Sequence, residues 1–201
     1  MTKWIGCGLA LAAVVGVLVM VGIGQYNGLV NANEGVKSAW ANVENVYQRR
    51  ADLIPNLVAT VKGSASFEQE TLQGVVDARS RVGQISGQAA EQILNDPQKF
   101  AQFQQAQDGL SSALSRLLVV VERYPDLKTT QAFQDLMAQL EGTENRITVE
   151  RRKFNEVAQG FNAQLQRFPT NLFVRVLGWS FQQRPYFQAA PGSDQAPKVE
   201  F

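Results

Sequence analysis

The side chains that could do chemistry are carboxylates and arginines, because the chain contains no histidine. Glu141 and Glu144 have a spacing that places two carboxylates on one helix face, as in bundles that hold di-iron centres through Glu-x-x-His motifs. Without histidine, such a centre lacks its nitrogen ligands. The usual general base near neutral pH and the Ser-His-Asp and Cys-His arrangements are lost as well. The sequence therefore predicts no enzyme, no metal and no other cofactor.

Motifs that bind phosphate or carry a nucleophile are missing from the sequence. It has no Walker-type loop, no GxGxxG and no GxSxG. Its formal net charge is +1, so we expect no nucleic acid among its partners. The basic run at residues 150–153 has acidic residues beside it, which is typical of a solvated helix face.

Apolar residues recur at steps of three and four beyond residue 25, which predicts an all-α fold of heptad-packed, coiled-coil-like helices. The first helix shows the repeat at Val36, Trp40, Val43, Tyr47, Arg50, Ile54, Leu57 and Val61. A shorter second helix shows it at Leu72, Val75, Arg79 and Val82. The third shows it at Phe100, Phe103, Gln107, Leu110, Leu114, Leu117, Val121 and Tyr124. The fourth shows it at Phe133, Met137, Leu140, Glu144, Ile147, Arg151, Phe154, Ala158, Phe161, Leu165 and Phe168.

Glycine, proline and capping residues set the bounds of these four long helices. Ser66 and Gln69 have the form of a capping box at the start of the second helix. Asp96 is the expected cap of the third helix, since it comes just before a proline, which suits the first helical position. Prolines also end the third and fourth helices. The expected bounds are about 26–62, 66–87, 97–124 and 129 or 130–168.

Arg50 and Glu144 are predicted to form an ion pair in the core. Short connections make successive helices antiparallel neighbours, so the first and fourth lie side by side, with these two residues near their middles. A buried charge without a partner costs several kcal/mol. Exchanging the two residues is then expected to restore folding that either single alanine substitution damages.

A secondary set of polar core positions comprises Arg79, Gln107 and Arg151. The two arginines need partners of their own, for which Asp77, Glu141 and backbone carbonyl groups are the candidates. The sequence does not choose among them.

Residues 4–24 are apolar throughout and reach about 30 Å as a helix, which is the thickness of the hydrocarbon core. This predicts a single membrane-spanning helix. A cleaved secretory signal is the alternative, although the apolar run is longer than the usual 7 to 15 residues or so. Few basic residues flank the run, so the side of the membrane that the bundle faces stays open.

An aromatic segment with arginines and no acidic residue follows at 168–187. Thr170 can cap a short helix that Gly178 ends. Because the fourth helix returns towards the membrane, this amphipathic helix suits the membrane interface, with packing against the bundle as the equal alternative. The expected interface residues are Phe168, Leu172, Phe173, Val176, Leu177, Trp179, Phe181 and Tyr186.

The sequence thus divides into four parts. A transmembrane anchor at 1–25 continues into an elongated antiparallel helical bundle at 26–169. The amphipathic, membrane-proximal segment occupies 170–187. The last part, 188–201, is polar with two prolines, which predicts an extended tail.

Three long strings resemble the LemA family of bacterial membrane proteins: YNGLVNANEGVKSAWANVENVYQRRADLIPNLVATVKG, EGTENRITVERRKFNEVAQGFN and FPTNLFVRVLGWSFQQRPYF. The resemblance runs from about residue 25 to the end and implies a membrane span followed by an elongated helical domain. It carries no established reaction and no catalytic residues. A magnetosome-associated branch of similar proteins links the family to internal membranes.

These observations favour a structural function. We expect a single-pass protein of the bacterial inner membrane, or of a membrane derived from it, whose rods form homo-oligomers and organise the lipid bilayer. A receptor or adaptor whose rod binds a protein or peptide partner is the alternative. Neither hypothesis involves catalysis.

Overall fold

The computed structural model describes residues 2–63 and 68–189, and these residues contain helices and no strand. The predicted all-α fold is thereby confirmed. Ser66, the expected cap of the second helix, and the tail beyond residue 189 lie outside the described residues. The helices are α1 (Thr2–Lys62), α2 (Gln69–Ser86), α3 (Ala90–Asn95), α4 (Pro97–Val121), α5 (Pro125–Lys128), α6 (Gln131–Gln166) and α7 (Thr170–Leu177).

Helix α1 contains 61 residues and runs without a break from the apolar amino-terminal stretch into the bundle, as expected. Side chains such as Leu11, Met20 and Ile23 are exposed along its first part. Among the described residues, α1 is the one helix long and apolar enough to cross a membrane, a test that a signal sequence near the amino terminus also passes. Exposed apolar side chains of this kind are stable in lipid.

The bundle is held by two helix pairs, α1 with α6 and α2 with α4. Contacts fix the direction of the first pair, because Gly35 of α1 lies near Val157 of α6 and Arg50 of α1 bonds to Glu144 of α6. Gln25, earlier in α1, contacts Thr170 at the start of α7. Residue numbers rise in α1 while they fall in its partner, so the two helices are antiparallel. The end of the bundle at Gln25 and Thr170, called the base here, therefore joins the apolar stretch of α1.

Two groups of buried side chains form the core along the bundle. Every predicted core position of the first helix is buried, including Arg50. Burying one side chain of leucine or phenylalanine size contributes about 1.5 to 3 kcal/mol. The group nearer the base is rich in aromatic rings, namely Trp40, Phe100, Phe103, Phe154, Phe161 and Phe187. The distal group is mostly aliphatic, with Ile54, Leu57, Val61, Leu72, Val75, Leu110, Leu114, Leu117, Phe133 and Leu140.

Two predicted core positions, Phe168 and Arg79, are exposed, and four more are only partly buried, namely Tyr124, Met137, Glu144 and Arg151. Phe168 is 79% exposed because α6 ends at Gln166, before this residue can turn towards the core. Arg79 is exposed at the edge of α2, where its guanidinium reaches a backbone oxygen of α1. Tyr124 lies beyond the end of α4, which is Val121, and is only partly buried.

Two short helices, α3 and α5, were not predicted. Helix α3 is too short to show a repeat, yet it buries Ile93 and Leu94. Helix α5 begins at Pro125, whose missing N–H group and fixed φ suit a first helical position. The predicted cap of α4 is present, because the Asp96 carboxylate accepts a hydrogen bond from the backbone N–H of Gln98 at 2.8 Å.

Candidate functional site

Arg50 is the most deeply buried charged residue of the bundle, with 1% of its side chain exposed. From α1 it reaches both other long helices of the core. Its Nη1 donates to Glu144 Oε1 at 2.6 Å and to Ser111 Oγ at 2.7 Å. Its Nη2 donates to the side-chain and backbone oxygens of Gln107 at 2.5 and 3.2 Å. One guanidinium therefore ties α1, α4 and α6 together with charge-assisted hydrogen bonds.

The two halves of this ion pair lie in different environments. Arg50 is enclosed, whereas the side chain of Glu144 is 42% exposed. Arg50 donates to oxygens of Gln107, Ser111 and Glu144, of which the Ser111 hydroxyl and the Gln107 side-chain amide can also donate. A glutamate at position 50 would confront the Gln107 oxygens. Rescue by exchanging the two residues stays a prediction, and since position 50 is enclosed while position 144 is partly exposed, we expect the exchange to fail.

Two carboxylates, Glu141 and Glu144, lie close together in α6. Within residues 2–63 and 68–189, no group of three or more histidine, cysteine, aspartate or glutamate side chains could hold a metal ion. Both glutamates line a cleft of about 380 Å³ among α1, α4 and α6, together with four leucines, two serines and Met137. The arrangement of Arg50 and Glu144 is suited to fixing the register of helices.

Arg79 donates a hydrogen bond to a backbone carbonyl group that Pro55 leaves without its helical partner. Proline has no N–H, so the backbone oxygen of Ala51, four residues earlier in α1, loses its helical partner. The Nε of Arg79 donates to that oxygen at 3.0 Å. A backbone carbonyl was one of the three candidate partners. This contact explains how α1 continues through Pro55 with its carbonyl satisfied.

We expect Arg79→Ala to lower the free energy of unfolding by about 1 kcal/mol, because Ala51 loses its donor. In a Pro55→Ala background the helix supplies an N–H, so the cost of Arg79→Ala falls close to zero. Urea unfolding of the four proteins in this double-mutant cycle measures the difference. Arg81→Ala, an exposed arginine of the same helix, is the control. Equal costs of Arg79→Ala in both backgrounds contradict the account.

Arg151 binds a segment that the sequence did not connect with it. Its Nη2 donates to the backbone oxygen of Gln188 at 2.9 Å, and its guanidinium lies 4.7 Å from the ring centre of Phe187. A longer ion pair of 3.7 Å joins it to Asp108. Of the three candidate partners, Asp77 and Glu141 are not used, whereas a backbone carbonyl, that of Gln188, is.

The expected interface residues separate into two groups at the base. Phe168, Leu172, Val176 and Leu177 are exposed, although all four side chains are apolar. The others contact the protein, although Tyr186 is also 41% exposed. The rings of Phe173 and Trp179 stack, Phe181 packs near Phe161, and the hydroxyl of Tyr186 accepts a hydrogen bond from Asn162.

Thr170 does not cap α7, because Pro169 holds the cap position. The Thr170 hydroxyl instead donates to Gln25 Oε1 at 2.7 Å, which fastens α7 to α1. The ring of Phe173 lies against Gly22, within the apolar stretch. Helix α7 ends as expected at Gly178, whose φ of 65° favours glycine. One face of α7 thus packs on the bundle while an apolar face stays open.

Sequence reasoning missed a groove between α4 and α6 that holds the chain's own residues 179–189, called the strap here. The strap has no helix or strand. It buries Arg184 and Phe187, and burial lowers the pKa of the Arg184 guanidinium. The available signal was the pair Asn155 and Asn162, two amides seven residues apart on one helix face.

Tyr47 makes the free energy of unfolding depend on pH in the alkaline range. Burial raises its pKa from 10.0 to about 12, because the phenolate is poorly solvated there, and the nearby charges of Arg151 and Arg50 oppose this rise only in part. Above pH 10 the unfolded chain loses this proton first, so the stability present at neutral pH declines as pH rises towards 12. We expect a loss of about 1.4 kcal/mol at pH 11 that Tyr47→Phe does not show. Urea unfolding at pH 7 and pH 11 compares the two proteins, and equal losses contradict the assignment.

Comparison with known proteins assigns the chain to a family. The model of the LemA family matches residues 39–201. Magnetosome protein MamQ 2 of Paramagnetospirillum magneticum and MamQ of Magnetospirillum gryphiswaldense are each 28% identical over 200 residues, or 92% of this chain and 71% of theirs. Protein LemA of Metamycoplasma hominis is 23% identical over 81% of this chain and 69% of its own. With these matches, the resemblance seen in the sequence is confirmed, and the chain belongs to the LemA family.

Proposed function

We propose that the protein is a non-enzymatic structural component of a membrane, anchored by one span, whose rods associate with one another and organise or shape the bilayer. The membrane is the bacterial cytoplasmic membrane or one derived from it. The LemA and MamQ names among its relatives support a membrane-associated protein outside the known enzyme classes. The magnetosome names support a role in membrane organisation by analogy.

The observation that carries this proposal is the open apolar face of α7 beside the exposed stretch of α1. Phe168 and Val176 are 79% and 71% exposed, and Phe173 of the same segment contacts Gly22. Exposed apolar side chains clustered at one place favour contact with lipid or protein. Arg167 and Arg175 are exposed nearby and can meet lipid phosphates. The bundle then touches the membrane at two points, which holds the rod at a fixed orientation.

Self-association is tested with two differently tagged full-length copies expressed together in a bacterial membrane. Capturing one tag from nanodiscs made directly from that membrane should recover the other tag. Electron tomography of the same membranes should show ordered rods or altered curvature. Single rods at every expression level, without recovery of the second tag, refute the proposal. A membrane protein with an unrelated single span and the same tags controls for chance capture.

An adaptor function is the second candidate, because the groove between α4 and α6 holds an extended segment through its main chain. Binding of this kind accepts segments of varied sequence. Crosslinking of whole membranes followed by mass spectrometry distinguishes the two functions. One stoichiometric foreign protein at the groove favours the adaptor.

A further inference from the structure

The base of the rod carries positive charge that no acidic residue in its own segments balances. These segments, 9–33 of α1 and 157–187 around α7, contain no aspartate and no glutamate. They contain Arg167 and Arg175, which are exposed, and Arg184, which is buried in the groove of the strap. Neither exposed arginine has an ion-pair partner among the residues that the structure describes. Two guanidinium groups at the base are therefore available to an anion from outside the chain.

The first acidic side chains beyond the base already have basic partners. Glu34 of α1 forms an ion pair with Lys37 at 3.1 Å, and Glu156 of α6 forms one with Arg152 at 3.8 Å. Glu34 also lies about 14 Å along α1 from Gln25, which exceeds the Debye length of about 8 Å at physiological salt. These carboxylates therefore do not neutralise the arginines at the base.

Helix α7 turns two different rows of side chains outward. Leu172 and Val176, four residues apart, form an apolar row and are 50% and 71% exposed. Asn171 and Arg175 form a polar row beside it, and both are exposed. Thr170, on the opposite face, is buried. An arginine beside an apolar row can bind a lipid headgroup while the neighbouring side chains enter the acyl region.

Three aromatic rings join this helix to the membrane span. The ring centre of Trp179 lies 5.1 Å from that of Tyr26 in α1 and 6.0 Å from that of Phe173 in α7. The Phe173 ring also packs on Gly22, within the apolar stretch. Tyrosine and tryptophan side chains favour the headgroup level of a bilayer. The cluster thus holds α7 beside the end of the span, which brings Arg175 to the depth of lipid phosphate groups.

We propose that the base is a binding site for anionic phospholipids, with Arg167 and Arg175 on the phosphate groups and Phe168, Leu172 and Val176 among the acyl chains. This inference rests on the membrane contact proposed above and adds the chemical class of the lipid. A guanidinium binds phosphate oxygens through paired hydrogen bonds as well as through charge. In a zwitterionic lipid a cationic headgroup cancels the phosphate charge, whereas an anionic lipid keeps it.

The number of arginines sets the size of the expected preference. One arginine near an anionic membrane surface strengthens binding by about fivefold. Arg167 and Arg175 together should therefore raise the association constant of an anionic lipid over a neutral one by about 25-fold at low salt. Salt screens exposed charges, so the preference should decline as ionic strength rises.

Lipid preference at the base is measured with full-length protein in liposomes of phosphatidylcholine with a minor fraction of phosphatidylglycerol. A fluorophore is attached at Val176→Cys in a Cys7→Ser background. A nitroxide quencher is carried on the acyl chain of one lipid or the other, at equal mole fraction and with the overall composition unchanged. The two quenching efficiencies give the relative association constant. A fluorophore at Val14→Cys, exposed in the middle of the span, is the control reporter.

Two double variants separate a local site from the total charge of the protein. Arg167→Gln with Arg175→Gln removes both guanidinium groups from the base. Arg49→Gln with Arg146→Gln removes the same charge from two exposed positions near the middle of the bundle and is the matched control. We expect a preference of at least about tenfold at position 176 in the wild type and in the control variant. In the base variant it should fall close to onefold.

Equal quenching by the two lipids at position 176 of the wild type overturns the anionic site and leaves the membrane contact and the proposed function intact. An unchanged preference in the base variant overturns the site, as does an equal loss in the control variant. A preference of the same size at position 14 also overturns it, because the span would then be its source. Quenching at position 14 without any at position 176 overturns the site together with the membrane contact on which the proposed function rests.

Discussion

Replacing Arg50 with methionine is expected to lower the free energy of unfolding by about 1 to 3 kcal/mol, the range for leaving a buried acceptor without its donor. Methionine fills much of the space but donates no hydrogen bond. Gln107 then loses the donor that its buried side-chain oxygen faces, and the link from α1 to α4 and α6 is lost. Urea unfolding of the full-length protein in mild detergent micelles, followed by circular dichroism, measures the change.

The neighbouring arginine provides the matched control. Arg49 is exposed, so Arg49→Met should change stability by no more than about 0.5 kcal/mol. Glu144→Gln should fall between the two, since an amide oxygen still accepts from Arg50. The exchanged protein, Arg50→Glu with Glu144→Arg, should remain as unstable as the worse single variant. Recovery of wild-type stability by that exchange contradicts the asymmetry of the site.

Trp40→Ala is the second substitution with a large expected effect, about 3 to 5 kcal/mol. Its ring lies at the centre of the basal core, against Phe100, Phe103, Phe154 and Phe187. Removing it leaves a cavity that these rings cannot fill without leaving their positions. Because Phe187 loses a stacked neighbour, hydrogen exchange at the strap amides should accelerate beyond the global change.

Phe168→Ala is the control for Trp40→Ala, because it removes an aromatic ring from an exposed position. Its effect on unfolding should stay within about 0.5 kcal/mol. A small effect of Trp40→Ala would show that the aromatic rings near the base are not packed as described. Strap amides that exchange no faster would show that Phe187 does not depend on Trp40.

The apolar repeat was sufficient to predict the long helices and the buried face of the first. Positions such as Val36 and Leu57 recur with a period set by helix geometry alone. The partner of Arg50 also followed from simple topology, since antiparallel helices place residues near their middles together. This part of the prediction therefore needed only the local periodicity of the sequence and the direction of the helices.

Contacts made by irregular chain could not be predicted in the same way. The partner of Arg79 depends on a carbonyl that Pro55 frees in another helix, which requires knowledge of the crossing point of α1 and α2. The strap has no period, and its bonds to Asn155 and Asn162 involve main-chain groups that every sequence possesses. Helix α3 is shorter than two helical turns. None of these features leaves a repeat in the sequence.

The central claim is that the base of the rod lies at the membrane beside the span. Nitroxide labels on cysteine at Val176, in α7, and at Val119, far along α4, test it directly in the full-length protein reconstituted in liposomes, with Cys7 replaced by serine. Both positions are exposed, so the labels should not disturb the core. We expect the label at 176 to be accessible to lipid-soluble oxygen and protected from a water-soluble nickel reagent. The label at 119 should show the reverse. Equal aqueous accessibility at both positions would contradict the account.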